Sequence, residues 1–298
     1  MGGIILGGAV EHVPGLTIQN WQDDPKLRLK MTEDCRRRPP GSWVRGIGVH
    51  TTRGLPFDPA AKWMADPVSG AKLPGYPRIL QGVGPKTNIA RNTVGWWSLD
   101  QRHAGAHLVV DYDGGVACLA DLTWEETYHA GPVNERTLGI EIAQRPGGEL
   151  YEAQLASLVI LCDWLTLRLR IQRQIPGCAG QASRYYIQGQ PLVRCRAGGR
   201  DVVGVYGHRD ITTSRGWGDP GDAVFAALER GGYERFDFAA GDDLERWKVR
   251  QAYLGTKADG VPGPKTCAAI ATWQEDNHHS PTGVLTRLQR EELDLAAG

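Results

Sequence analysis

The chain is predicted to be an α/β protein: a mixed β-sheet flanked by helices, plus a small three-helix unit at the C-terminal end. Three observations predict this. Strand-like runs at 43–50, 107–121, 137–143 and 201–208 interleave with helical runs, the order expected of a sheet layered with helices. Residues 149–171, ELYEAQLASLVILCDWLTLRLRI, carry the longest helical pattern and contain no Gly or Pro. After a composition break near 233–241, three short helical patterns follow in succession.

Residues 1–40 read as a mixed N-terminal extension, with CRRRPPG at 35–41 as a solvated basic turn or linker. WVRGIGVH (43–50) alternates as a strand, with Gly46, Gly48 and His50 on one face and Arg45, Ile47 and Val49 on the other. The small residues beside His50 leave room over that face for a metal or a substrate. Residues 53–95 are rich in Pro and Gly and read as a long irregular segment with one or two short helices. HLVVDYDGGVACLAD (107–121) is a hairpin turned at Asp113, Gly114 and Gly115. In TLGIEIA (137–143), Leu138, Ile140 and Ile142 form a core face and Gly139 and Glu141 the other. DVVGVYGH (201–208) is a strand ending at His208, and DAVFAALER (222–230) is a helix stopped by Gly231-Gly232. In the last unit, Pro264 is placed to open the middle helix. The expected boundaries are 41–235 for the main domain and 240–298 for the three-helix domain, in keeping with a length of 298 residues and a prior of roughly 150 per domain.

Composition narrows the function classes. Hydrophobic residues make up 41% and charged residues 23%, as in soluble globular proteins. Lys plus Arg is 34 and Asp plus Glu is 34, so bulk charge does not favour a nucleic-acid partner. No run approaches the ~20 apolar residues of a membrane span, and MGGIILGGAVEHVPG lacks the basic start of a signal peptide. Synthesis in the cytoplasm, with no membrane partner, is the expectation. The six cysteines show no C-x-x-C spacing, which argues against a structural zinc ribbon. Cys178 and Cys195 could staple a loop in an oxidising compartment; a reducing cytosol would keep them as thiols.

The chemistry-bearing candidates are His50 and His208 at strand ends, Asp219 in the loop after the second, and Glu141 on another strand. Two imidazoles and a carboxylate are a donor set that a catalytic zinc takes while keeping a fourth position open. A nearby carboxylate can then move protons. His103, His107, His278 and His279 read as structural or loop residues, and Asp111 and Asp113 as turn residues. Trp96 and Trp97 suit either core packing or stacking on sugar rings.

The segments GIGVHTT, HLVVDYDGG, TYHAGPVN, TLGIEIA and VYGHRDITTSRGWGDPGD, in that order, resemble the zinc-dependent N-acetylmuramoyl-L-alanine amidases. That superfamily includes phage lysozyme-type amidases and peptidoglycan recognition proteins. The resemblance covers roughly 40–232, and DGVPGPKTCAAIATWQ with SPTGVLT is similar to a three-helix peptidoglycan-binding module. It implies one Zn²⁺ per chain, held by His50, His208 and Asp219, with Glu141 as the proton shuttle. It places His129 and Asn134 beside the substrate cleft. Many family members carry a lysine two residues before the third ligand; Trp217 stands there in this chain, so Arg215 or His129 is left to stabilise the oxyanion and Trp217 to contact substrate.

The function implied is cleavage of the bond between N-acetylmuramic acid and L-alanine, in a phage endolysin reaching the wall through a separate pore. A non-catalytic wall-binding protein and a zinc peptidase cutting within the stem peptide are the competing readings. A chain ending near 235 is expected to cut soluble fragments while binding sacculi poorly.

Overall fold

The computed structural model describes residues 2–22, 24–29, 34–52, 63–65, 72–74, 79–97, 104–146, 148–176, 203–211, 219–236 and 242–298. The chain opens with a hairpin, β1 (Ile4–Leu6) and β2 (Ala9–Glu11), turned on Gly7 and Gly8 at positive φ, where a side chain would be strained. β3 (Ile18–Asn20), β4 (Cys35–Arg37) and β5 (Gly46–Thr51) follow, then helix α1 (Ile89–Trp97). Next come β6 (Leu108–Val110), β7 (Val116–Cys118), β8 (Glu125–Thr127), a 3₁₀ turn (Gly131–Arg136) and β9 (Thr137–Ile142). After α2 (Glu152–Leu169) stand β10 (Gly204–Gly207), the single turn α3 (His208–Ile211) and α4 (Asp222–Arg230). The last helices are α5 (Asp242–Tyr253), α6 (Pro264–Asp276) and α7 (Arg287–Ala297).

Six strands form the central sheet in the order β10-β5-β9-β6-β7-β3. It is mixed: β6 and β7 pair antiparallel as a hairpin, and the other neighbours run parallel. The parallel neighbours are joined by long crossovers, because a parallel pair cannot be closed by a tight turn.

Each face of the sheet has its own cover. Ile47, Val49, Leu138, Ile140 and Ile142 point to one side, as their alternation predicts. There they meet Leu155, Leu158, Leu161 and Leu165 of α2 and Val224, Phe225 and Leu228 of α4. The 3–4 residue spacing of the α2 leucines gives that helix one apolar stripe. It begins where the Gln154 side chain accepts from the Tyr151 N–H and ends where Arg170 turns left-handed at φ 54. The opposite face is covered at two places. Val94 and Trp97 of α1 pack over Val109, Ala117 and Leu119. The C-terminal helices supply Trp247, Ile270, Trp273 and Leu293, and the loop between the last two supplies Leu285; together they close over Val133, Val203, Tyr206 and Ile211.

Three expectations change. Residues 1–40 are not an appended extension: β3 is a sheet strand, and Ile4, Ile5, Val13, Leu16 and Ile18 lie in the main core. In the 35–41 stretch Arg36, Arg37, Pro39, Pro40 and Gly41 are exposed as expected, but Cys35 and Arg38 are not solvated. β4 pairs with β8, and Arg38 is only 6% exposed because its guanidinium donates to the carbonyls of Asn134, Glu135 and Thr137. Burial lowers the Arg38 pKa to about 10, which leaves it charged at neutral pH. Third, the three C-terminal helices do not stand apart from the main domain. Besides the shared apolar cluster, Gln172 donates to the Gly283 carbonyl, and Arg290 reaches both Glu234 and the Gly232 carbonyl.

Much of 53–95, along with His103, Cys178, Cys195, Arg215 and Trp217, lies outside the described residues. Cys118, Cys162 and Cys267 are buried free thiols, and Cys35 is buried as well. No helix among the described residues is long and apolar enough to cross a membrane.

Candidate metal centre

The strand registers place the chemistry. Parallel pairing sets Glu141 beside His50 and Gly139 beside Gly48, so the two strands present their polar face together. β10 runs parallel on the other side of β5 and delivers His208 just beyond its last residue, as the first residue of α3 rather than the end of a strand. Asp210 holds that turn by accepting from the Gly207 N–H at 2.7 Å. Gly207 has no room for a side chain, since a Cβ there would lie 2.7 Å from Pro220. This close contact brings Asp219 back to the strand end, where its Oδ1 accepts from the Thr51 N–H at 3.0 Å. The site thus lies at the carboxyl ends of parallel strands, where open α/β sheets bind ligands.

His50, His208 and Asp219 come together, with one ligand-type atom from each lying within 4.8 Å of the others. His50 Nδ1 and His208 Nδ1 are 3.0 Å apart, and His208 Nδ1 is 3.3 Å from Asp219 Oδ2. Bonds of about 2.0–2.2 Å in a tetrahedral arrangement put two ligand atoms roughly 3.3 Å apart, so these two spacings suit a zinc ion. Buried imidazoles facing each other beside a buried carboxylate are otherwise a costly arrangement, which a divalent cation would relieve. The residues present fit that group.

The three face a cavity of about 760 Å³ that Glu141 also lines. Its far wall is α1, which contributes Asn92, Thr93 and Trp96. Of the two adjacent tryptophans, Trp97 is buried in the core and Trp96 stands 49% exposed at the cavity. The wall therefore presents both amide and hydroxyl groups and an aromatic ring.

His129 lines the same cavity, as expected of a residue beside the cleft, but its ring nitrogens are already committed. Its ring fills the space over Gly48 and Gly139 that the sequence left open: a Cβ at Gly139 would lie 2.7 Å from its Cγ, and one at Gly48 3.0 Å from its Cε1. Both ring nitrogens are engaged, Nδ1 with His50 Nε2 and Nε2 with Thr137 Oγ1, each at 3.0 Å. Neither is left to donate to an oxyanion or a substrate. Burial holds the His129 pKa well below its usual value, so the ring is neutral.

Asn134, expected beside the cleft as well, does not line the cavity: it is 6% exposed, and its Oδ1 accepts from the Ala130 N–H at 2.6 Å, closing the turn behind His129. His107 is structural, as read. Burial lowers its pKa to about 3, and the neutral ring accepts the Gly139 N–H at Nδ1 and donates from Nε2 to the Glu125 carbonyl.

Thr137 was not singled out in the sequence, although it shares the period-2 face of Gly139 and Glu141, which was the available signal.

A family model described as N-acetylmuramoyl-L-alanine amidase matches residues 39–222. That span contains His50, His129, Glu141, His208 and Asp219, and stops short of the C-terminal helices. No curated protein matches the chain.

Proposed function

This chain belongs to the N-acetylmuramoyl-L-alanine amidase family, and we propose that it is a zinc-dependent hydrolase of the amide between the lactyl group of N-acetylmuramic acid and L-alanine. The observation that carries this reading is the convergence of His50, His208 and Asp219 beside Glu141 in one cavity. His50, His208 and Asp219 would hold the ion. When bound, zinc supplies Lewis acidity, which polarises a carbonyl and makes water a better acid.

The residues of the chain divide the remaining work. The Glu141 carboxylate lines the cavity one strand from His50, where it takes a proton from the attacking water and returns it to the departing L-alanine nitrogen. Asp219 does two tasks, one oxygen held by the Thr51 N–H and the other turned to His208. Trp96, Asn92 and Thr93 on the opposite wall suit a sugar ring and its hydroxyl and acetamido groups. The C-terminal helices, similar to a wall-binding module, would hold the same polymer and raise its local concentration.

Mass spectrometry of sacculi digested with and without a chelator tests the reading. The expected products are stem peptides with free L-alanine amino termini and intact glycan, lost on chelation and restored by zinc. New termini further along the stem would make the protein a peptidase. Absence of any product from protein carrying less than about one zinc per chain would make it a binder.

A further inference from the structure

We propose that His129 and Thr137 are positioning residues that fix which nitrogen of His50 is bare. The inference rests on the reading of His50 as a metal ligand and adds how the fold prepares it.

The order of donors follows from one hydroxyl. Thr137 Oγ1 lies 2.8 Å from the Val133 carbonyl, which can only accept, so the single hydroxyl proton points there. Toward His129 Nε2, at 3.0 Å, Thr137 must therefore accept, and the proton of the neutral His129 ring sits on Nε2. His129 Nδ1 is then bare and accepts from His50 Nε2–H at 3.0 Å. That leaves the lone pair of His50 on Nδ1, the nitrogen turned to His208 and Asp219. A histidine that binds a metal commonly donates its other N–H to a carboxylate, carbonyl or water. Here a second imidazole takes that place, and its own tautomer is set by a threonine one step further out.

The surroundings hold this chain in place. The paired glycines 48 and 139 form the niche for the His129 ring, and any side chain at Gly139 would displace it. Arg38 gathers the carbonyls of Asn134, Glu135 and Thr137, which fixes the turn that brings the Val133 carbonyl to Thr137. Without the hydroxyl, His129 can carry its proton on Nδ1 and donate toward His50. His50 then becomes protonated on Nδ1, the nitrogen the metal needs.

The test is zinc affinity, measured by competition with a chromophoric chelator, together with histidine ¹⁵N shifts of the zinc-loaded protein. Thr137→Val, which keeps the shape and removes the hydroxyl, is expected to weaken zinc binding roughly 10–100-fold, as loss of an outer hydrogen-bond partner typically does. Thr137→Ser is expected to bind like wild type. The ¹⁵N shifts of the wild type are expected to show protons on Nε2 of both His129 and His50. Equal affinity in Thr137→Val and wild type, or an Nδ1 proton on His129, would overturn the relay while leaving the metal site standing. A wild-type protein that binds no zinc would overturn both readings.

Discussion

Replacing Glu141 by Gln is expected to lower kcat by about 10²–10⁴-fold, the usual contribution of a positioned acid–base group. Zinc content and melting temperature are expected to stay at wild-type values. The substitution keeps size and polarity on a strand that is anchored on both sides, by β5 and by β6. It removes only the ability to take a proton. Steady-state kinetics on a soluble muropeptide with metal analysis of the same preparation checks both parts, and a variant that turns over like wild type would remove Glu141 from the chemistry.

Deleting residues 242–298 is expected to destabilise the main domain rather than merely loosen its hold on the wall. The C-terminal helices cover Val133, Val203, Tyr206 and Ile211, all of which are at most 4% exposed. Fully exposing an apolar side chain of this size costs about 1.5–3 kcal/mol, so partial exposure of four amounts to roughly 4 kcal/mol. That is a large share of the ~5–15 kcal/mol that holds a typical domain together. At about 2–4 °C per kcal/mol, the melting temperature is expected to fall by roughly 8–16 °C.

The same deletion reaches the metal site. Val133, whose carbonyl receives the Thr137 proton, packs under those helices. Zinc affinity is therefore expected to fall along with stability. Calorimetry and chelator competition on the shortened chain check this; a melting temperature and affinity equal to those of the full chain would show that the shared cluster contributes nothing. The packing replaces the picture of a freely separable module, which helical periodicity alone suggested.

The layered fold was legible because its signals are local. Alternation in 137–143, the turn residues at 113–115 and the unbroken apolar stripe of 152–169 each depend on neighbours within a few positions, and each produced the element it predicts. The role of residues 1–40 was not legible. β3 and β4 are three residues long and gain their structure from partners about 90–100 positions away, at Val116–Cys118 and Glu125–Thr127. Three arginines in a row look solvated until a turn rich in carbonyls is brought to one of them, as happens at Arg38.

His50, Glu141, His208 and Asp219 could be named in advance because metal chemistry demands particular side chains and the ordered motifs supply them. Residue type alone could not separate His129 from these. A histidine at a cleft edge and a histidine with both nitrogens occupied read the same in one dimension. What the sequence determined by itself was the alternation of strands and helices and the inventory of groups able to bind and move charge. Only the tertiary structure decided which glycines make room for His129, which nitrogen of His50 faces His208 and Asp219, and that the last helices share a core with the sheet. Each of those depends on distances between residues far apart in the chain, and such distances are set by packing and hydrogen-bond direction rather than by local pattern.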